Sequence, residues 1–396
     1  MPSRTLAERL TAYAVLAHDP AVPGIAADYW ELSEPHYRAV DALLSGFLAA
    51  RPEAAQPYKD LVADPTALAP QLELRRRLAR SLAADDGEER ARLVAAVEEA
   101  DRHIWIDYQV GDGEAAAPAE TPAVAPDQAS GPAVVHIVIP FRDRDAGGLR
   151  TRNLLACLRA LADQDPGPAH HVTVVETDDR PRSRARLEPL VDRYVFAENP
   201  GLFNKSWAVN VGARTVPDSV PYLCVLDADI LVDRSFVRRN VDRIATGAHG
   251  THLPFRWSLS LDEPSSLRAI HARTAAGLPD VPQSTLRGLL LREPPGGCVW
   301  VRTEVFHGVG GFDERYEGWG GEDDDVIARL TAAAGVVRFE DPLLHLNHPR
   351  PRMTRDGVPF NAHIEPLSWT AESGYGDPSA FARRKDLRPD AGRTGC

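Results

Sequence analysis

Tyr222-Leu223-Cys224-Val225-Leu226-Asp227-Ala228-Asp229 reads as a strand that runs straight into a pair of acids. Five apolar residues without polar alternation suit a strand covered on both faces, as in a parallel-type α/β sheet. Two carboxylates one residue apart then stand at its carboxyl end, where open α/β sheets hold their ligands. One could take a divalent cation and the other a ribose or a cation-bound water, and oxygen ligands suit Mg2+ or Mn2+. A D-x-D pair by itself is equally a solvated turn, so its neighbours carry the argument.

Upstream, the same grammar repeats. Val134–Pro140 is a buried-strand run that ends in the basic loop Phe141-Arg142-Asp143-Arg144-Asp145. Leu149, Leu154/Leu155, Leu158 and Leu161 have helical spacing, Val172–Val175 is a second strand ending in Glu176, and Tyr194–Phe196 leads a third. Asn199–Gly212 is a loop entering a helix. Strand–helix alternation of this kind predicts an α/β sheet flanked by helices, with the chemically loaded residues gathered at the strand ends. Arg142 and Arg144 could fork onto phosphate or hold Asp143 and Asp145 in a surface ion network. Phe203 and Lys205 suit a base-binding loop, though Phe203 could equally be core.

Downstream lies Gly318-Trp319-Gly320-Gly321-Glu322-Asp323-Asp324-Asp325. The following Val326-Ile327-Ala328-Arg329-Leu330 has helical apolar spacing, so the acids open a helix, where the macrodipole favours them by roughly 0.3–1 kcal/mol each. Four adjacent acids also repel one another, and a polyhydroxyl ligand with one proton to remove supplies a reason for them. Successive helical side chains diverge by about 100°, so one or two acids face a ligand while the others cap the helix. His345-Leu346-Asn347-His348 follows the strand Val336–Phe339. Its two histidines are either ordinary strand-end residues or partners of Asp229 in a His/His/Asp set, which suits Mn2+ better than Mg2+. Walker, G-x-G-x-x-G and G-x-S-x-G motifs are missing from the sequence, which removes the usual support for ATPase, dehydrogenase and serine-hydrolase functions.

With 396 residues, 43% hydrophobic and 26% charged, the chain is of globular type with two or three domains. A net charge of −12 implies no duplex nucleic acid or anionic membrane as partner. The four cysteines are far apart and form no C-x-x-C pair, and no apolar run has membrane-span length, so a reducing, cytoplasmic setting is the expectation. Residues 1–110 read as a helical domain for packing, dimerisation or acceptor docking, with a homodimer through it expected. Residues 111–133 are an Ala/Pro-rich linker, 134–350 the catalytic domain, and 351–396 a lid and tail. The lid is read in the polar stretch from Pro349 to Val358, with Arg350, Arg352 and Arg355, and acceptor selection in 251–293.

Taken in order, these motifs resemble the metal-dependent inverting glycosyltransferases of the GT-A fold, within them the β-1,4-galactosyltransferase type (family 2/7). Ile139-Pro140-Phe141-Arg142-Asp143-Arg144 is similar to that family's first-strand PFRNR loop. Phe203-Asn204-Lys205 with Asn210-Val211-Gly212 is similar to its FNRAKLLNVG segment, with Lys for Arg. Asp227-Ala228-Asp229 stands where its DVD motif stands. Gly296-Gly297, Gly310-Gly311-Phe312 and Gly318–Asp325 follow its GG…NGF…GWGGEDDD signature. The resemblance implies a Rossmann-like mixed sheet flanked by helices and a nucleotide-diphosphate donor, UDP-linked and Gal/GalNAc/GlcNAc-like. It implies transfer to a hydroxyl of a glycan, lipid, peptide or small molecule. Asp323 would be the base, and Glu322 and Trp319 would contact a sugar. Pro140, Phe141, Arg142, Arg144, Phe203, Lys205, Asp227 and Gly297 would hold the nucleotide, and Asp229, His345 and His348 the Mn2+ or Mg2+. The family has Met-x-x-His where this chain has His345-x-x-His348. It carries Tyr where this chain has Pro294, and that change admits an N-acetylated donor sugar. A nucleotidyltransferase and a non-catalytic sugar-nucleotide scaffold are the competing readings.

Overall fold

A computed structural model describes residues 1–85, 87–109, 111, 132–351, 354–355, 358–370, 372, 374–384 and 386. The linker expected at 111–133 lies almost wholly outside them. In chain order the strands are β1 (Ile106–Gln109), β2 (Val135–Phe141), β3 (His170–Asp178), β4 (Arg193–Glu198), β5 (Tyr222–Leu226), β6 (Ile230–Leu231) and β7 (Thr251–Leu253). They continue with β8 (Trp257–Leu261), β9 (Gly288–Arg292), β10 (Cys298–Arg302), β11 (Val336–Arg338), β12 (Leu343–His345), β13 (Thr354–Arg355) and β14 (Val358–Pro359). The chain forms two compact units. One comprises Met1–Ala117, Trp257–Arg268 and Pro282–Arg292, the other Pro118–Arg256, Ala269–Val281 and Glu293–Cys396.

In the first unit, five helices bury their apolar stripes on one another: Ser3–His18, Val22–Ala49, Pro52–Ala63, Leu68–Ala83 and Glu88–His103. Leu6, Leu10, Tyr13, Val40, Leu44, Leu74, Leu78, Leu82, Leu93 and Val97 form their common core. Pro23 and Pro52 fall in the first turns of their helices, where a missing N–H costs nothing. The helical expectation for the end of this region is corrected at Ile106–Gln109, which is strand. Ile106 and Tyr108 alternate inward, and β1 pairs antiparallel with β9, which in turn pairs with β8. A four-residue strand whose partner lies far along the chain shows no periodicity long enough to read. The stretch 251–293, expected to select acceptor, thus contributes two strands to this sheet. Arg9 lies between Asp101 and Asp107, with Tyr13 donating to Asp101, so the arginine's charge is paired inside the unit.

The second unit is built on a seven-stranded sheet in the order β11-β7-β10-β5-β2-β3-β4. The expected parallel core is present: β2 pairs parallel with both β3 and β5, and β3 with β4. Beyond β5 the sheet turns mixed, because β10 pairs antiparallel with β5 and with β7. Every residue of β2 is buried, as an unbroken apolar run requires. The helix Lys205–Ala213 lies close on β2 and β3, and Gly212 permits that approach. A Cβ there would meet Val138 Cγ1 at 2.4 Å. Outside the seven-stranded sheet, β6 pairs antiparallel with β12 and sets His345 opposite Ile230. In the stretch expected to be a lid, residues 352, 353, 356 and 357 lie outside those described, and β13 pairs antiparallel with β14.

His136, 3% exposed in β2, shares a 2.6 Å hydrogen bond with Thr173 Oγ1. Burial, helped by His171 and Arg193, pushes its imidazole from 6.5 down to about 4. A depressed base binds its proton in the unfolded chain first, so stability is full above pH 6.5 and falls as pH drops toward 4. Chemical denaturation at pH 7.5 and 5.0 should show His136→Val losing about 2 kcal/mol less than the parent between those two values. Equal losses in the two proteins would contradict this.

Candidate active site

The acids after β5 occupy a turn held from two sides. Asp227 N donates to Gly297 O at 2.9 Å, and Leu346 N donates to Asp229 O at 2.9 Å. Gly297 has φ 106°, and a Cβ on it would lie 2.8 Å from Leu343 Cδ2, so only glycine fits there. The β6–β12 pairing brings the second histidine motif beside this turn. His348 Nε2 lies 2.9 Å from Asp229 Oδ2 and His345 Nε2 lies 3.5 Å from Oδ1. One possible ligand atom from each of Asp229, His345 and His348 lies within 4.8 Å of the others.

Asp229 Oδ1 is buried and makes no hydrogen bond. An orphaned buried carboxylate oxygen is costly, and a cation between it and two imidazoles would satisfy it. The donor set of one carboxylate and two imidazoles fits a Mn2+-type ion. Burial raises the carboxyl's pKa, but the two imidazoles outweigh it and hold Asp229 well below the usual carboxylate range. His345 is pushed down to about 3, first by burial, and so is neutral as a ligand must be.

On the other flank of the turn, Lys205 sits at the start of its helix, where Asn204 caps by accepting from Trp207 N at 2.7 Å. Lys205 Nζ lies 2.9 Å from Asp227 Oδ1 and 2.9 Å from Asp323 Oδ2. The two carboxylates therefore stand within about 6 Å of each other, a repulsion of about 3 kcal/mol at an effective dielectric of 20 were the ammonium absent. Burial lowers the lysine's pKa, but Asp227, Asp323 and Glu322 outweigh it and hold the ammonium above its ordinary value. Desolvation carries Asp227 up to about 6 against the pull of Lys205.

The four acids of the helix Glu322–Ala334 separate by direction. Asp323 meets Lys205 and abuts Gly296, where a Cβ would fall 2.1 Å from Asp323 Oδ2. Glu322 is pushed up to about 7, by desolvation first and Asp323 next. Asp324 is raised by desolvation and by Asp323. Asp325 turns inward, accepting from Arg329 Nε at 2.8 Å and from Leu367 N at 2.8 Å. Trp319 lies between Gly318 and Gly320, both at positive φ, and Asn361 Nδ2 donates to Gly320 O at 2.9 Å.

The expected nucleotide residues divide. Pro140 and Phe141 are buried in β2. Arg142 gives its donors to backbone carbonyls, Thr177 O at 2.5 Å, Gly201 O at 2.8 Å and Asn199 O at 2.9 Å, and its guanidinium lies 5.5 Å from the Phe203 ring centroid. Arg144 pairs with buried Asp178 at 2.6 Å. Asp143 caps the next helix instead, accepting from Thr151 N at 2.8 Å. Three residues that matter here, Asp178, Glu314 and Arg150, were not singled out in the sequence. Asp178 anchors Arg144 and Arg182, and its only signal is an acid at a strand end. Asn210 binds Phe312 O and Glu314, tying the Lys205 helix to the Gly310–Phe312 turn. Arg150 donates to Pro349 O at 2.8 Å, which brings a cation beside the histidine loop.

Known proteins are similar to parts of this chain. Residues 136–310 match the family model described as glycosyl transferase family 2, and residues 291–350 match the one described as the N-terminal domain of galactosyltransferase. β-1,4-Galactosyltransferase 7 of Drosophila melanogaster is 26% identical over 50% of this chain and 44% of its own length. The probable N-acetylgalactosaminyltransferase 9 of Caenorhabditis elegans is 25% identical over 45% of this chain and 28% of its own. The chain thus spans less than half the length of these curated relatives. The crystal structure of S. aureus TarS 1–349 superposes with a TM-score of 0.38 at 12% identity, over 54% of this chain and 60% of that one. The two family models together run over residues 136–350, the stretch that holds the strand-end acids, the Gly-Trp-Gly-Gly turn and the paired histidines, and over that stretch the chain is similar to family 2 and galactosyltransferase-type glycosyltransferases.

Proposed function

We propose that this protein transfers a sugar from a nucleotide-diphosphate donor, a UDP-sugar of Gal, GalNAc or GlcNAc type, to an acceptor hydroxyl with inversion, using Asp323 as base. The observation that carries this reading is the convergence at one turn. The orphaned Asp229 oxygen faces two imidazoles on one flank, and Asp323 is held beside Asp227 on the other. A divalent cation of the Mn2+ or Mg2+ kind, held by Asp229, His345 and His348, would supply Lewis-acid stabilisation of the departing diphosphate. Asp323 takes the proton of the acceptor hydroxyl as its oxygen bonds to the anomeric carbon. The bond from that carbon to the diphosphate oxygen breaks, and the electron pair leaves with the nucleotide. Glu322, half-protonated near neutrality, can donate as well as accept and so suits a sugar hydroxyl. Trp319 offers a flat apolar face to the sugar, Phe203 and Arg144 flank the nucleoside, and Arg142 orders their loop. Pro294 in place of a bulky Tyr leaves room for an N-acetyl group. The galactosyl- and N-acetylgalactosaminyltransferase names of the relatives agree with that donor range.

No helix among the described residues is long and apolar enough to cross a membrane. Free, buried Cys157, Cys224 and Cys298 suit a reducing compartment, and we assign the cytoplasm.

Asp323→Asn should lower UDP release from UDP-galactose or UDP-N-acetylgalactosamine by at least 100-fold while UDP binding in the presence of Mn2+ stays within about threefold. Loss of binding together with turnover would undo the base assignment. Asp229→Ala should instead weaken UDP binding by tenfold or more with Mn2+ and leave it unchanged with EDTA, and calorimetry tells these apart. Asp325→Ala acts on stability, because it strands buried Arg329. The loss should be about 3–5 kcal/mol in denaturant unfolding, against less than about 1 kcal/mol for Asp323→Asn, and equal losses would refute this division of the acids.

A further inference from the structure

The resemblance places Lys205 on the nucleotide, yet its ammonium spans two carboxylates. We propose that Lys205 is a positioning residue that ties the base Asp323 to the strand-end turn at Asp227 and sets the direction in which Asp323 meets the acceptor. This inference rests on the transferase reading above.

Three features of the geometry carry it. The lysine is fixed at its backbone end, because Asn204 caps the helix by accepting from Trp207 N and also donates to Glu314 O at 2.6 Å. Its head is 2.9 Å from each carboxylate, and its side chain is only 12% exposed. Asp323 is closed on another side by Gly296, where even a Cβ would come within 2.1 Å of Oδ2. Between lysine and glycine the carboxylate has little freedom to turn. Asp227 is itself pinned through its N–H to Gly297 O. The reference point for Asp323 is therefore the same turn that presents Asp229. A lysine swung fully onto the nucleotide would leave both carboxylates and strand them against each other in a half-buried place.

The test compares Lys205→Met, Lys205→Arg, Asp323→Asn and the Lys205→Met/Asp323→Asn pair with the parent. Titration of UDP in MnCl2 reads binding, and UDP release from UDP-galactose and UDP-N-acetylgalactosamine, with water as acceptor, reads turnover. Lys205→Met should lower kcat at least 30-fold with the UDP Kd and the donor KM within threefold. Lys205→Arg should recover part of kcat, and the pair should turn over no more slowly than Asp323→Asn alone. The pair should also melt at a higher temperature than Lys205→Met, since the repulsion is gone, and this readout survives a loss of activity. Lys205→Met that binds UDP tenfold or more weakly with kcat unchanged makes Lys205 a nucleotide ligand and overturns the proposal while the transferase reading stands. A pair that melts no higher than Lys205→Met overturns it as well. A parent protein that neither binds UDP with Mn2+ nor releases it from either sugar overturns the transferase reading, and the lysine's role with it.

Discussion

Carboxylates gathered in a half-buried place need counter-charges, and the second unit is arranged around meeting that need. Asp227 and Asp323 share one ammonium, Asp229 faces two imidazoles, Asp325 has Arg329, and Asp178 has Arg144 and Arg182. Each pair joins residues on different elements or on successive turns of one helix, so the charges also lock the elements that carry them. Where pairing is incomplete the structure leaves a chemical opening, at the orphaned oxygen of Asp229 and the protonatable carboxyl of Glu322. Those are the positions at which a ligand has something to complete.

Neutral hydrogen bonds hold the frame in which these charges sit. Asn210 and Glu314 bind the Lys205 helix to the turn before the acidic helix, and Gly376 N adds a third strand of chain by donating to Glu314 at 2.6 Å. Residues beyond 358 reach back to the same turn. Asn361 donates to Gly320 O, Leu367 N to Asp325, and Trp369 Nε1 to Gly310 O at 2.8 Å. The glycines at 318, 320 and 321 give that turn its left-handed path. A turn so rich in glycine would be loose without these bonds, so the C-terminal segment belongs to the architecture of that turn.

The parallel core of the second unit and the place of its acids were largely legible in the residues. The run Tyr222–Leu226 is apolar throughout because both of its faces are covered, and that run announced the strand and the place of the acids after it. Gly318–Asp325 combines composition, spacing and position too specifically to be packing alone, and with the strand-end acids and the paired histidines it carried the resemblance to glycosyltransferases. Local chemistry of this kind is written in consecutive residues. The tertiary structure alone decided how those residues divide their work. It set Lys205 between two carboxylates, turned Asp325 inward while Asp323 stayed in the pocket, and gave the donors of Arg142 to carbonyl oxygens. It also recruited β8 and β9 to the first unit. These outcomes depend on which distant segments meet, a matter of desolvation and charge pairing across the fold, and no window of neighbouring residues contains them.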